Sequence, residues 1–453
     1  MKLKMMMLTA SGCAVFLTAA FTLEAPAEFS WKQCQGSKLR VLVAKKAWPD
    51  YMGQFVPEFE KLTGIKVVWE AYPENQHRQK VAIELAAGGG TVDAYMVDPI
   101  VNGLKHWSYG WMEPLNSYID DPNLTLPDFD YYADFTKGAR AAVTFDGEII
   151  AINHELDGQI FYYRKDLFEK YGVAVPQTLQ EMEKAAAKLT LDTNNDGRID
   201  VYGITLRGMG RKAVSQCSTY IMNLGGWWLD KEGNAAINSP KVVEAFELYG
   251  RLLRRYGPPG NLNFDWYEAL DAFAAGKAAM YTDAASFLPA LTDPAKSKIV
   301  GKWSCTEVPA GPAGRHPMLN TWGMAIPKNS RNKKAAWLLT QWLLNKENVL
   351  KSLMHGVPAA RASAWNSPKF KAQDKYPFWT EACLLLFEKG NPQFQAPVIN
   401  VEKAKDIVGQ IIPASTAGED VKLAADKANK ELQELIESER KEYGLKPVFP
   451  AWR

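Results

Sequence analysis

The chain has 453 residues, enough for two or three domains with sizeable cores. Its 47% hydrophobic and 23% charged content is ordinary for a globular protein and excludes a disordered chain. A net charge of +2 excludes a protein that tracks the phosphates of nucleic acid or an anionic membrane with massed positive charge.

Lys2 and Lys4 precede an apolar run over residues 5–23 and then Ala25-Pro26-Ala27. This is the pattern of a cleavable secretory leader, read as residues 1–27, with a lone membrane anchor as the rival reading. Cys13 follows Ala10-Ser11-Gly12 as in a lipoprotein site, but the apolar run before it is short for one. No second run of membrane-spanning length follows, so the mature chain is expected to be soluble and periplasmic. Removal of the leader leaves Cys34, Cys217, Cys305 and Cys383. They allow three pairings, among which spacing does not choose, and none has metal-ligand spacing.

KLRVLVA at residues 38–44 reads as a buried strand that runs into Trp48-Pro49-Asp50 and a helix closing at Thr63-Gly64. A strand over 65–70, a helix over 76–87 stopped by three glycines, and a strand over 92–97 ending on Asp98 follow. This β-α-β-α-β rhythm implies a parallel sheet with helices on both faces. Over 149–163 two apolar runs flank Asp157-Gly158 and read as two strands with a carboxylate between them. A helix over 165–170 closes at Gly172, and Pro176 with Thr178 starts the next. Beyond that helix, Asp192, Asn194, Asp196 and Asp200 stand at positions 1, 3, 5 and 9 of a calcium-type loop, with Gly197 at position 6 and Arg198 after it. Position 12 is Gly203, so a bidentate glutamate would have to come from elsewhere; the run stands either as a structural calcium site or as an ion-free turn. No other cofactor is expected. Residues 419–441 read as a charged amphipathic helix with a solvated face.

Several of these stretches, in order, resemble the extracellular solute-binding proteins, family 1, which deliver sugars to ABC importers. Thr63-Gly64-Ile65-Lys66-Val67, the Asp93 to Asp98 strand and Gly110-Trp111-Met112-Glu113-Pro114-Leu115 match the family's first lobe. Gly147, Asp157, Tyr163, Lys165, Asp166, Leu167, Phe168, Pro176 and Thr178 match its most recognisable segment. Gly225-Gly226-Trp227-Trp228, Gly276-Lys277-Ala278-Ala279-Met280, residues 321–328 and the Gly356 to Arg361 run match later signatures. The resemblance spans about residues 38–437. It implies an α/β fold of two lobes, each a mixed sheet flanked by helices, joined by three hinge crossings near residues 155–158, 305–308 and 356–361. The lobes would comprise residues 38–155 plus 306–356 and 158–304 plus 358–453.

A sugar or polyol presents hydroxyls to charged and amide groups and C–H faces to aromatic rings, a chemistry that 15 tryptophans suit. Ligands of open α/β sheets gather at the carboxyl ends of strands. Trp48 and Asp98 end strands, Asp157 sits at the first crossing, Trp322 interrupts a strand beside Gly323, and Arg361 follows the third crossing. These five, with Tyr95, Trp227, Trp228 and Asp283, are the candidate ligand residues. Hinge hydrogen bonding, core packing and an interlobe ion pair are the structural readings of Asp157, Trp322 and Arg361. Ser286-Phe287 stands where many family members place a stacking aromatic. A carbohydrate-active enzyme using Asp98 and Asp157 as acid and base is the main rival, but any chain with 51 acidic residues contains such pairs, and no nucleophile elbow, metal motif or phosphate loop accompanies them. A polyamine, a glycerol-phosphate ester or a ferric ion would keep the fold and change the ligand; the adjacent Tyr162-Tyr163 alternate faces of a strand and do not cluster for iron. The expected protein is a monomer that captures a sugar or sugar alcohol and presents it to membrane permease subunits, without nucleic acid and without catalysis.

Overall fold

The computed structural model describes residues 29–444. The leader read at residues 1–27, Cys13 included, lies outside the described residues.

Strand β1 (Lys38–Ala44) lies between β2 (Lys66–Tyr72) and β3 (Ala94–Val97), parallel to both. Its residues from Val41 onward are fully buried, as expected for a strand covered on both faces. The connecting helix Glu74–Ala87 ends on Gly88 at φ 64°, a left-handed position that glycine adopts without strain. A small hairpin, β4 (Thr144–Phe145) and β5 (Glu148–Ile149), leads into the 12-residue β6 (Ile152–Tyr163). The remaining strands are β7 (Met280–Ala284), β8 (Ser304–Thr306) and β9 (Leu319–Ala325). The sheet runs β2-β1-β3-β9-β6-β7, with β8 pairing on β6.

β6 belongs to both halves of the molecule. Residues 152–158 pair antiparallel with β9, which pairs with β3, whereas residues 159–163 pair with β7 and β8. The two strands expected around Asp157 are therefore one continuous strand. Asp157 does not interrupt it because its carboxylate accepts the Gly158 amide at 2.8 Å, the Ser286 amide at 3.1 Å and the Ser286 hydroxyl at 2.7 Å. Glycine is required next: a Cβ at Gly158 would stand 2.3 Å from the Met318 carbonyl oxygen of the neighbouring crossing.

The second crossing lies later than residues 305–308. β8 still pairs with the far half of β6, and the loop after it bonds to Gln177 and Asn223. The chain returns only where Leu319 and Asn320 pair with Gly158 and Asp157. The third pass touches β6 where the Leu156 amide donates to the Pro358 carbonyl at 3.1 Å.

A large core surrounds β1, β3, β9 and the helix Lys333–Leu343 and continues along β6 to Tyr162, Tyr281 and Trp303. A second lies beneath the helices Gly210–Asn223, Pro240–Tyr256 and Val421–Tyr443. Cys34, Cys217, Cys305 and Cys383 are unpaired, the last three buried. No helix among the described residues is long and apolar enough to cross a membrane.

Candidate functional site

The carboxyl ends of β1 and β3 and the middle of β9 converge on a small cavity of about 70 Å³ between the two halves. From the first half, Lys46 follows β1, Glu74 and Arg78 occupy the first turns of the Glu74–Ala87 helix, Asp98 follows β3, and Asn320 and Trp322 stand on β9. From the second come Arg207, Lys212 and Ser215, then Trp266, Phe287 and Phe394, and finally Glu402 and Lys405 on the helix Val401–Gly409. The halves touch across the cavity: the Lys212 ammonium donates to Asn75 Oδ1 and lies 3.5 Å from Asp265.

The polar groups are ordered by mutual pairing. Asp98 accepts the Val101 amide at 3.0 Å, Arg78 at 2.9 Å and the Asn320 amide at 3.3 Å. Arg78 also pairs with Glu74 at 3.2 Å, and the guanidinium lies 4.7 Å from the Trp322 ring centroid, as does the Lys46 ammonium. Trp322 is thus engaged by cations, while its indole N–H and Asn320 Oδ1 are buried without a partner among the described residues. Arg207 forms a two-pronged pair with Asp283, a residue that is fully buried. The aromatic wall is Trp266 near-parallel to Phe287, with centroids 5.6 Å apart and an interplanar angle of 19°.

Burial opposes ionisation of Glu74, yet Arg78, Lys46, Lys212 and Arg207 hold its carboxyl well below the usual carboxylate range. Glu155, behind the cavity and only 1% exposed, is pushed up to about 7 by burial, against the pull of Lys46 3.6 Å away. Burial pushes the Lys405 ammonium down, Glu402 opposes this, and Arg78 and Lys212 reinforce it.

Of the residues singled out from sequence, Asp98, Asp157 and Trp322 line the cavity together. The other six stand away from it. Trp48 is fully buried and stacks on His154 at 4.0 Å; Tyr95 lies inside the sheet with its hydroxyl 3.3 Å from His106. Trp227 and Trp228 fill the second core, where the Trp228 indole donates to the Phe394 carbonyl at 3.0 Å and so braces a cavity residue from behind. Asp283 stands behind the cavity, where it grips the lining residue Arg207. Arg361 points into the first half, donating to Leu344 and Phe129 carbonyls and pairing with Asp134 at 2.8 Å between the rings of Phe129 and Phe135. Arg361 thus forms its ion pair inside the first half and not between the lobes, whereas Asp157 makes the hinge hydrogen bonds of its structural reading while still facing the cavity.

In the Asp192 to Asp200 turn the side-chain oxygens of Asp192, Asn194 and Asp196 accept backbone N–H groups, Asp196 Oδ1 bonding the Arg198 amide at 2.8 Å, and Asp200 accepts Thr193. No group of three or more carboxylate, histidine or cysteine side chains close enough to hold an ion occurs among the described residues.

Arg207, Lys212, Trp266, Phe394 and Lys405 were missed because each sits on a loop or helix whose distance from β6 in sequence hides its proximity in space. Trp266 alone carried a local signal: Asp265 and Glu268 form a capping box that fixes the helix Trp266–Ala274.

Residues 45–349 match the sequence profile of the family described as bacterial extracellular solute-binding protein. An erythritol/L-threitol-binding protein of Mycolicibacterium smegmatis is 28% identical over 350 residues, 73% of this chain and 71% of that one. A mannitol-binding protein of Pseudomonas aeruginosa is 28% identical over 315 residues, 67% of this chain and 68% of that one. Among solved structures, an ABC transporter solute-binding protein of Agrobacterium radiobacter in complex with ribitol superposes with a TM-score of 0.80 at 26% identity, covering 88% of this chain and 99% of that one.

Proposed function

This chain belongs to the bacterial extracellular solute-binding protein family, and we propose that it is the periplasmic capture component of an ABC importer for a sugar alcohol of monosaccharide size. The observation that carries this reading is the cavity of about 70 Å³, which joins hydrogen-bonding carboxylates, amides and cations from both halves to the Trp266–Phe287 wall. Its size disfavours an oligosaccharide, and its mixed charges suit a neutral polyhydroxyl ligand. The relatives named for erythritol, mannitol and ribitol support the same class.

Hydroxyls of the ligand meet the charged groups, and its C–H face meets the rings. The function is capture and not turnover: binding favours the closed arrangement of the lobes, and permease subunits in the membrane read that closure. The protein acts as a monomer, exported by its leader. A thermal-shift panel of erythritol, ribitol, mannitol, maltotriose, spermidine and glycerophosphocholine tests the reading, because a ligand at about 100 times its Kd adds about 2.7 kcal/mol. A response confined to alditols supports it, and a response only to spermidine or glycerophosphocholine overturns it.

A further inference from the structure

Among the described residues, the cavity holds one cation that makes neither a hydrogen bond nor an ion pair. Asp98, Glu74, Asp157, Asp265 and Glu402, the carboxylates that line it, are each bonded or paired: Asp98 and Glu74 to Arg78, Asp157 to Ser286, Asp265 to Lys212, and Glu402 to Arg211 at 3.4 Å. Among the cations, Lys46 faces Glu155, Arg78 faces Asp98 and Glu74, Arg207 grips Asp283, and Lys212 reaches Asn75 and Asp265. Lys405 is only 7% exposed and lines the cavity, yet its ammonium makes no hydrogen bond or ion pair among the described residues. Glu402, one turn earlier on the same helix, is the carboxylate whose charge acts most on it, but that carboxylate makes its ion pair with Arg211 at 3.4 Å and forms none with Lys405. That helix packs against both the Gly210–Asn223 helix and the Pro99–Gly103 segment of the opposite half, so Lys405 is fixed between the lobes. A buried ammonium with no acceptor is costly, and a ligand that brings lone pairs relieves the cost.

We propose that Lys405 is the specificity-determining anchor of the cleft, its ammonium donating to adjacent hydroxyl oxygens of a neutral polyol and repelling cationic ligands such as polyamines. The assignment rests on the sugar-alcohol reading of the same cavity. A site built to donate to a hydroxyl rejects the analogue that lacks it, because the buried donor is then left unpaired.

The test is calorimetric titration of wild type, Lys405→Met and Lys405→Arg with mannitol, ribitol and erythritol and with the 1-deoxy and 2-deoxy forms of whichever alditol binds. Methionine keeps the apolar stem and removes the charge, so the ligand-free fold is expected to melt no lower than wild type. The expected result is a loss of about 10- to 100-fold in alditol affinity for Lys405→Met, the span of one charge-assisted hydrogen bond. Lys405→Arg should recover part of it. At least one deoxy form should bind wild type more weakly than its parent, with this preference collapsing in Lys405→Met, a coupling that a merely structural lysine would not produce. Unchanged affinity in Lys405→Met, or an undiminished deoxy preference, overturns this assignment and leaves the sugar-alcohol reading standing. Wild type that binds none of the three alditols overturns both.

Discussion

The Arg207–Asp283 pair offers the most quantitative test of how the cleft is held in shape. Asp283 is fully buried on β7 and accepts Arg207 Nε at 2.7 Å, a second guanidinium N–H, the Tyr281 hydroxyl at 2.9 Å, the Gln216 amide at 3.1 Å and the Ala284 N–H at 2.8 Å. Arg207→Met removes two charge-assisted bonds and leaves a buried carboxylate with three neutral donors. Breaking a buried pair costs about 3–5 kcal/mol, and the donors that remain place the expected loss near the lower end, roughly a 150-fold fall in the folding equilibrium. The assay is urea denaturation of the ligand-free protein, so that the role of Arg207 in lining the cleft does not enter. Adding Asp283→Asn to Arg207→Met should recover more than half of the loss, because the residual penalty is that of an unpaired charge. A single variant within about 1 kcal/mol of wild type would refute the reasoning, since that is the range of a solvent-exposed pair.

Three further outcomes follow from the same geometry. Because burial pushes the Glu155 carboxyl up to about 7, the folded protein keeps a proton that the unfolded chain releases near pH 4.5, and stability falls as pH rises from about 5 to about 7. Glu155→Gln should remove this slope and gain roughly 2–3 kcal/mol on wild type between about pH 5 and pH 8; parallel pH profiles of the two proteins would contradict it. Gly158→Ala would drive a Cβ to 2.3 Å from the Met318 carbonyl oxygen and 3.0 Å from Leu386, costing about 1–3 kcal/mol or more by thermal melting, whereas Gly138→Ala, with open space around it and no positive φ, should meet no such clash. Asp196→Ala should lower the melting temperature only when calcium is present if the Asp192 loop holds that ion; an equal drop in chelator means that the loss is of hydrogen bonds inside the turn.

The fold was legible because its signals are local. KLRVLVA gave β1 to the residue, Thr178 and Glu181 form the capping box that starts the Leu179–Lys188 helix, and Gly64 and Gly88 close helices at positive φ. Asp157-Gly158 looked like a strand break because a carboxylate in an apolar run has no local partner; Ser286, 129 residues away, supplies it. The site was legible only where a strand end carries it directly, as at Asp98, Asp157 and Trp322. Tryptophan and arginine count equally well as core and as ligand residues on composition alone, and a place in the cores away from the cavity decided against Trp48, Trp227, Trp228 and Arg361. Lys405 was invisible because nothing in a charged helix marks which lysine faces an enclosed space.

The central claim is that a sugar alcohol occupies this cleft. Isothermal titration of wild type and Trp266→Ala with mannitol, ribitol and erythritol addresses it directly. The account predicts one site per chain for at least one alditol in wild type and roughly tenfold or greater weakening in Trp266→Ala, since the ring supplies part of the wall against the ligand's C–H face. Alditol binding of equal strength in both proteins would place the ligand elsewhere and contradict the account.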